Sequence, residues 1–165
     1  MINFILPEVL IKSSGRRAAA VKQIANTEMS NFTDEQKRRA AERLSSVPLA
    51  RLMGMRLIDI QPDEAVVAVD FREDLLQPNG ILHGGVTASL IDTAMAFAVR
   101  TRVPDNVPTA TIDLTVHYIR PLSSGTATCH AKVLRAGRRI FTVSADVRND
   151  EGKLIAGGLS TYTRL

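Results

Sequence analysis

The stretch LQPNGILHGGVTASLIDTAMAFAVRTR, residues 76–102, decides how this chain is read. A His-Gly-Gly turn at His83, Gly84 and Gly85 opens it, and a nearly unbroken apolar run from Val86 to Val99 follows. A helix apolar on nearly every side is a buried helix. One carboxylate, Asp92, interrupts the run, and an acid in such a place is costly unless it is paired, neutral or at work. The neighbours on its helical face, Ala88, Ser89, Met95, Ala96 and Val99, are small or apolar and provide no salt-bridge partner. The helix is expected over about Gly85–Arg102, with the loop VPDNVP ending it.

The flanking segments show a period of two. Met55–Ile60 and Ala65–Phe71 read as strands around a Pro62-Asp63 turn. Thr109–Ile119 alternates, with Ala110, Ile112, Leu114, Val116 and Tyr118 on one face and Thr111, Asp113, Thr115 and His117 on the other. Thr126–Leu134, Ile140–Arg148 and Leu154–Thr163 are further strands, separated by Ala136-Gly137 and by the hairpin turn at 149–152. Four strands in meander spacing thus follow the helix, and short turns between them require an antiparallel sheet. Its apolar face needs a partner, and the long helix is the only sufficiently apolar one. The expected fold class is therefore α+β, with an antiparallel sheet wrapped around one central helix.

Bulk properties narrow the function. At 165 residues, 45% hydrophobic and 23% charged, the chain fits one globular domain. Its net charge of +4 is spread over separate basic pairs that do not interleave with aromatics, so no nucleic-acid groove is expected. A positive surface better suits a polyphosphate-bearing substrate. The single Cys129 excludes an intramolecular disulfide, and its strand position reads as inert core. The histidines at 83, 117 and 130 are too scattered for a local metal motif, so no metal is expected. No apolar run reaches the roughly 20 residues of a membrane span, and a reducing, cytoplasmic location is the default.

Residues 1–47 read as a partly helical N-terminal extension and residues 48–165 as the main domain. Thr33-Asp34-Glu35-Gln36 is a capping box, with a helix expected to about Ser45. Residues 1–30 fit three readings: a targeting segment with its charge on the wrong side, a surface helix, or a leader before a more natural start at Met29.

The pattern Gly80…His83-Gly84-Gly85…Leu90…Asp92, the strand Thr111-Ile112-Asp113-Leu114 leading to Tyr118…Arg120-Pro121, and the Gly137-Arg138-Arg139 turn together resemble one group. This is the hotdog-fold acyl-CoA thioesterases, in the phenylacetate-pathway (PaaI-type) and 4-hydroxybenzoyl-CoA thioesterase branch. The resemblance spans roughly residues 48–165. It implies that Asp92 is the catalytic carboxylate and that Gly84 offers its backbone N–H to the thioester carbonyl. It places Gln77, seven residues before that glycine, at the reacting centre, with Asn79 competing for the role, and it assigns Thr111 an assisting role. It implies no cofactor, coenzyme A being part of the substrate.

The residues alone carry part of this chemistry. A helix N-terminus has unpaired N–H groups and a positive dipole end, and glycine lets a ligand approach closely. Gly84 and Gly85 thus form an oxyanion candidate. Asp92 fits either a general base on water or a nucleophile forming an acyl anhydride. His83 either orients the turn or touches substrate. Arg120, Arg138 and Arg139 suit the phosphates of coenzyme A, and equally suit solvated surface positions. Gly84 and Asp92 are separated by ~12 Å along one helix, so a site using both needs two chains. The expected assembly is a homodimer, or a dimer of dimers forming a homotetramer. The competing functional reading is a non-catalytic acyl-CoA-binding hotdog protein, a sensor or regulator.

Overall fold

The computed structural model describes residues 31–165, and the three readings of residues 1–30 lie outside that range. Helix α1 spans Asp34–Ser46, a short α2 spans Pro48–Met53, and strands β1 (Arg56–Gln61) and β2 (Glu64–Asp70) form a hairpin. A 3-10 turn at Glu73–Leu75 leads to the long helix α3, Gly84–Arg100. Strands β3 (Thr109–Tyr118), β4 (Thr126–Ala136), β5 (Ile140–Arg148) and β6 (Leu154–Arg164) complete one six-stranded sheet.

Every pairing is antiparallel, and the strand order is β1-β2-β4-β5-β6-β3. The fold is the expected hotdog, a curved sheet around a central helix. The core is aliphatic: Val67 and Val69 of β2, Cys129 of β4, and Phe141, Val143 and Val147 of β5 are buried beneath Leu90, Ile91, Met95 and Val99 of α3. Burial pushes the Cys129 thiol well above its ordinary range, so it packs as a small hydrophobe.

Two features depart from the sequence reading. The last four strands are not one meander, because β3 leaves β4 and pairs with β6 at the far edge, while β4 pairs with β2. Alternation reports which face of a strand is apolar and says nothing of which strand lies beside it. The uniform alternation of β3 is also broken. Register shifts between Thr111 and Asp113, leaving Ile112 as an extra, exposed residue. A bulge of this kind re-aims the side chains on either side of it. Thr111 consequently shares the helix-facing side with Leu114 and Val116, not the opposite side.

The ends of α1 and α3 are fixed by local chemistry. The Thr33 hydroxyl accepts from the Gln36 N–H while the Gln36 side chain accepts from the Thr33 N–H, the full capping box. Helix α1 is tied to β1 by Lys37 donating to Asp59 at 2.7 Å, and its Leu44 enters the core. The β1–β2 turn is tied to the other end of α3: Asp63 takes a left-handed φ of 70° and pairs with Arg102, and its N–H donates to Thr101.

Candidate active site

The two glycines at the start of α3 differ. His83 is the N-cap, and its Nδ1 accepts from the Gly85 N–H at 2.8 Å. One orphan donor of the helix end is thereby satisfied, a turn-orienting contact for His83. Gly84 is the first helical residue, and its N–H has no partner among the described residues. Of the expected oxyanion pair, Gly84 is therefore the available donor. Its carbonyl accepts from the Tyr118 hydroxyl at 3.0 Å, and the Tyr118 ring lies against it, 3.4 Å from where a Cβ would stand.

Gly84 opens onto a cavity of about 460 Å³, lined also by Gln77, Thr87, Tyr118, Arg120 and Ile155. Gln77 reaches it because residues 76–82 fold back on themselves, with Leu76 bridged to Leu82 and the Gln77 N–H donating to the Ile81 carbonyl. Asn79 sits at the exposed tip of that turn, away from the cavity lining. Arg120 lines the cavity while donating to the Leu154 carbonyl at 2.8 Å. Arg138 and Arg139 stand in the β4–β5 turn, where the Arg139 carbonyl accepts from Arg164 and Arg164 in turn donates to the Arg102 carbonyl. They belong to the C-terminal end of α3, not to the Gly84 cavity.

Asp92 forms a second group. It is half-buried in mid-helix, and its partners among the described residues are hydroxyls, not cations. Thr111 donates to Oδ1 at 2.9 Å, and the Tyr162 hydroxyl lies 2.7 Å from the same oxygen. The β3 bulge makes the first contact possible. Nothing near Tyr162 in the sequence marks it as a site residue, and its partner is 70 residues away. Burial and the Asp92 charge both push its phenol far above the ordinary range, so the phenol stays protonated.

Asp92 lies on the one stripe of α3 the sheet does not cover. Gly85 is exposed there, and the half-buried Ala88, Ser89, Asp92, Thr93, Ala96 and Arg100 lie along the rest of it. A second cavity, about 540 Å³, lies between α1 and the far end of α3 among Phe32, Arg43, Phe97 and Arg100. It contains none of the sequence-predicted site residues. Among the described residues, no cluster of His, Cys, Asp and Glu is arranged to hold a metal, and no helix is long and apolar enough to cross a membrane.

Comparison with known proteins agrees with the fold. Residues 79–156, from the Gln77–Leu82 turn to β6, match the model of the thioesterase superfamily. Human acyl-coenzyme A thioesterase 13 is 30% identical over 67% of this chain and 81% of its own length. A structure of a point mutant of the phenylacetic acid degradation protein PaaI from Thermus thermophilus is 34% identical, with a TM-score of 0.66, covering 72% of this chain and 99% of that one. The thioesterase HI1161 of Haemophilus influenzae is 25% identical with a TM-score of 0.73, covering 83% and 93%. The chain belongs to the thioesterase superfamily of hotdog-fold proteins.

Proposed function

We propose that the protein hydrolyses an acyl-CoA thioester to the free acid and coenzyme A, in a site completed by two chains. The observation that carries this reading is the combination of a helix-start N–H at Gly84 and a carboxylate, Asp92, on the uncovered stripe of the same helix, the first without a hydrogen-bond acceptor and the second without a cation among the described residues. A carboxylate kept in mid-helix for stability would be expected to hold a cation, and this one holds none among the described residues.

The chemistry follows from the parts. The thioester carbonyl oxygen takes the Gly84 N–H, at the positive end of α3, where developing negative charge is stabilised. Gln77 lines the same cavity, and in this reading it contacts the carbonyl. Asp92 then acts by one of two balanced routes. As a base it takes a proton from water while the water oxygen bonds to the carbonyl carbon; the tetrahedral species collapses, and the coenzyme A thiolate leaves with its electron pair and is protonated. As a nucleophile it bonds the carbon itself, expels the thiolate, and the resulting anhydride is cleaved by water. The apolar wall of Tyr118, Ile155 and their neighbours fits an acyl or pantetheine segment, and Arg120 fits the anionic end of coenzyme A.

Both routes need Asp92 close to a carbonyl held at Gly84. The eight residue steps from Gly84 to Asp92 rise ~12 Å within one helix, so the two groups meet only if a second α3 lies antiparallel, stripe against stripe. Small residues at 85, 88, 89 and 96 permit that approach. The edge strand β3, with exposed Ile112 and Tyr118, adds apolar surface for it. In such a pair, Arg138 and Arg139 of one chain approach the Gly84 end of the other, where the phosphates of coenzyme A would arrive. Two-fold symmetry then gives two identical sites, and the same pair could stack into a dimer of dimers.

The test is thiol release from acetyl-, hexanoyl- and benzoyl-CoA by the wild type and by Asp92→Ala. Turnover by the wild type and its loss in the variant support hydrolysis. Tight binding of the acyl-CoA with no thiol release would favour the non-catalytic binding protein instead.

A further inference from the structure

Two hydroxyls lie within hydrogen-bond distance of Asp92 Oδ1, and the two arise from one cross-strand pair. Thr111 of β3 is in register with Tyr162 of β6, immediately before the bulge at Ile112. The Tyr162 ring is among the largest fully buried side chains of the protein, so its hydroxyl has little freedom of position. That hydroxyl lies 2.7 Å from Oδ1 and 2.8 Å from the main-chain carbonyl of Asp92, and Thr111 Oγ1 lies 2.9 Å from the same Oδ1. Among the described residues, Oδ2 accepts no hydrogen bond.

We propose that Tyr162 is a positioning residue which, with Thr111, binds Asp92 Oδ1 and so leaves Oδ2 as the oxygen that meets water or the thioester carbon. The assignment rests on the reading of Asp92 as the catalytic carboxylate. A carboxylate on a helix turns about two side-chain bonds, and the reaction needs one lone pair aimed at one atom. Anchoring one oxygen to rigid strand donors fixes the other without blocking it, and rates are sensitive to misplacements of about an ångström. The phenol suits this task because burial and the neighbouring carboxylate keep it protonated, so toward Asp92 it acts as a donor. The rival explanation is packing alone, in which the hydroxyl needs only a partner in a dry place and the Asp92 main-chain carbonyl provides one.

A mutant cycle separates the two. The wild type, Y162F, D92N and the double variant are assayed for kcat and KM on whichever of acetyl-, hexanoyl- or benzoyl-CoA the wild type hydrolyses, with melting temperatures alongside. D92N and the double variant are followed in single turnover with enzyme in excess. Y162F should lose about ten- to hundredfold in kcat, the range for a hydrogen bond to a charged group, with KM within about twofold. Placed on D92N, the same change should cost nothing further, because the group it positions is gone. Wild-type kcat in Y162F, or the same fractional loss on both backgrounds, overturns the role of Tyr162 and leaves that of Asp92 standing. Full turnover in D92N, or no hydrolysis of any of the three esters by the wild type, overturns the reading of Asp92 itself. Should Y162F not fold, 3,5-difluorotyrosine at position 162 keeps the ring and hydroxyl but changes the donor strength. A shifted kcat at constant KM then supports the role, and an unchanged kcat overturns it.

Discussion

At the scale of single residues, the proposed chemistry turns on a backbone N–H and a carboxylate. Replacing Asp92 by Ala or Asn should lower turnover at least ~100-fold, the low end of acid–base contributions, with the fold retained by circular dichroism. Near-normal turnover would remove Asp92 from the mechanism. Gly84 offers a cleaner probe than most oxyanion donors. It is the first helical residue, where proline is well tolerated, and His83 before it already has extended backbone with φ −63° and ψ 133°. Gly84→Pro should therefore fold, lose its N–H and lose activity, whereas Gly84→Ala keeps the N–H and meets only ordinary contact with the Tyr118 ring at 3.4 Å. If the folded proline variant keeps wild-type kcat, the N–H is not the oxyanion donor. Asp92 and Gly84 are legible in the sequence as candidates because they lie within one local motif, whereas Gln77 enters only through the family resemblance. Tyr162 is not legible, since its importance lies in a partner 70 residues away, and Thr111 reads onto the wrong face because a bulge leaves no mark in an alternating pattern. The residues alone do not separate Gly84 from Gly85, which the family resemblance does; the contact of His83 Nδ1 with the Gly85 N–H gives the physical difference between them.

At the scale of elements, the same limits explain what is legible. The capping box at Thr33 and the buried helix are written in neighbouring residues, so both are readable. The strand order is not, because the β3–β6 pairing depends on which edge remains open after β4 has joined β2. Helix α3 can lie close to β6 only because Gly158 has no side chain: a Cβ there would stand 2.9 Å from Ile91 Cγ2 and 3.3 Å from Met95 Cε. Gly158→Ala should destabilise by about 1–3 kcal/mol through overpacking, measured by urea unfolding. Gly157→Ala, whose Cβ would meet nothing closer than 3.8 Å, should stay near wild type; equal stability of the two variants would contradict this packing. Helix α1 provides a pH test. The Lys37 ammonium holds the Asp59 carboxyl below the usual carboxylate range. A lowered folded-state value means the contribution is present above the unfolded pKa and lost as pH falls through the folded one. Asp59→Asn should thus lower the melting temperature slightly at neutral pH, and the difference should vanish in acid. A difference that persists unchanged in acid would show that the ion pair is not its source.

At the scale of the whole molecule, the hotdog architecture is readable from one apolar helix and a set of alternating strands, and membership of the thioesterase superfamily agrees with it. The described chain presents the proposed reaction parts in two separate places: Gln77, Gly84 and Arg120 around one cavity, and Asp92, Thr111 and Tyr162 further along α3. That separation is legible in the sequence because helical rise is fixed by geometry. The uncovered stripe of small residues around Asp92 is where a second copy would close the gap. Complementation tests this most directly. Asp92→Ala and Gly84→Pro, each inactive alone, are co-refolded in equal amounts. In a heterodimer, the glycine of the first variant faces the aspartate of the second, and the other site lacks both groups. Random assembly makes half the dimers mixed, with one working site of two, so activity should return to about a quarter of the wild-type value per chain. No recovery while mass spectrometry shows mixed dimers, or wild-type activity that sediments as a monomer, would contradict a site built from two chains.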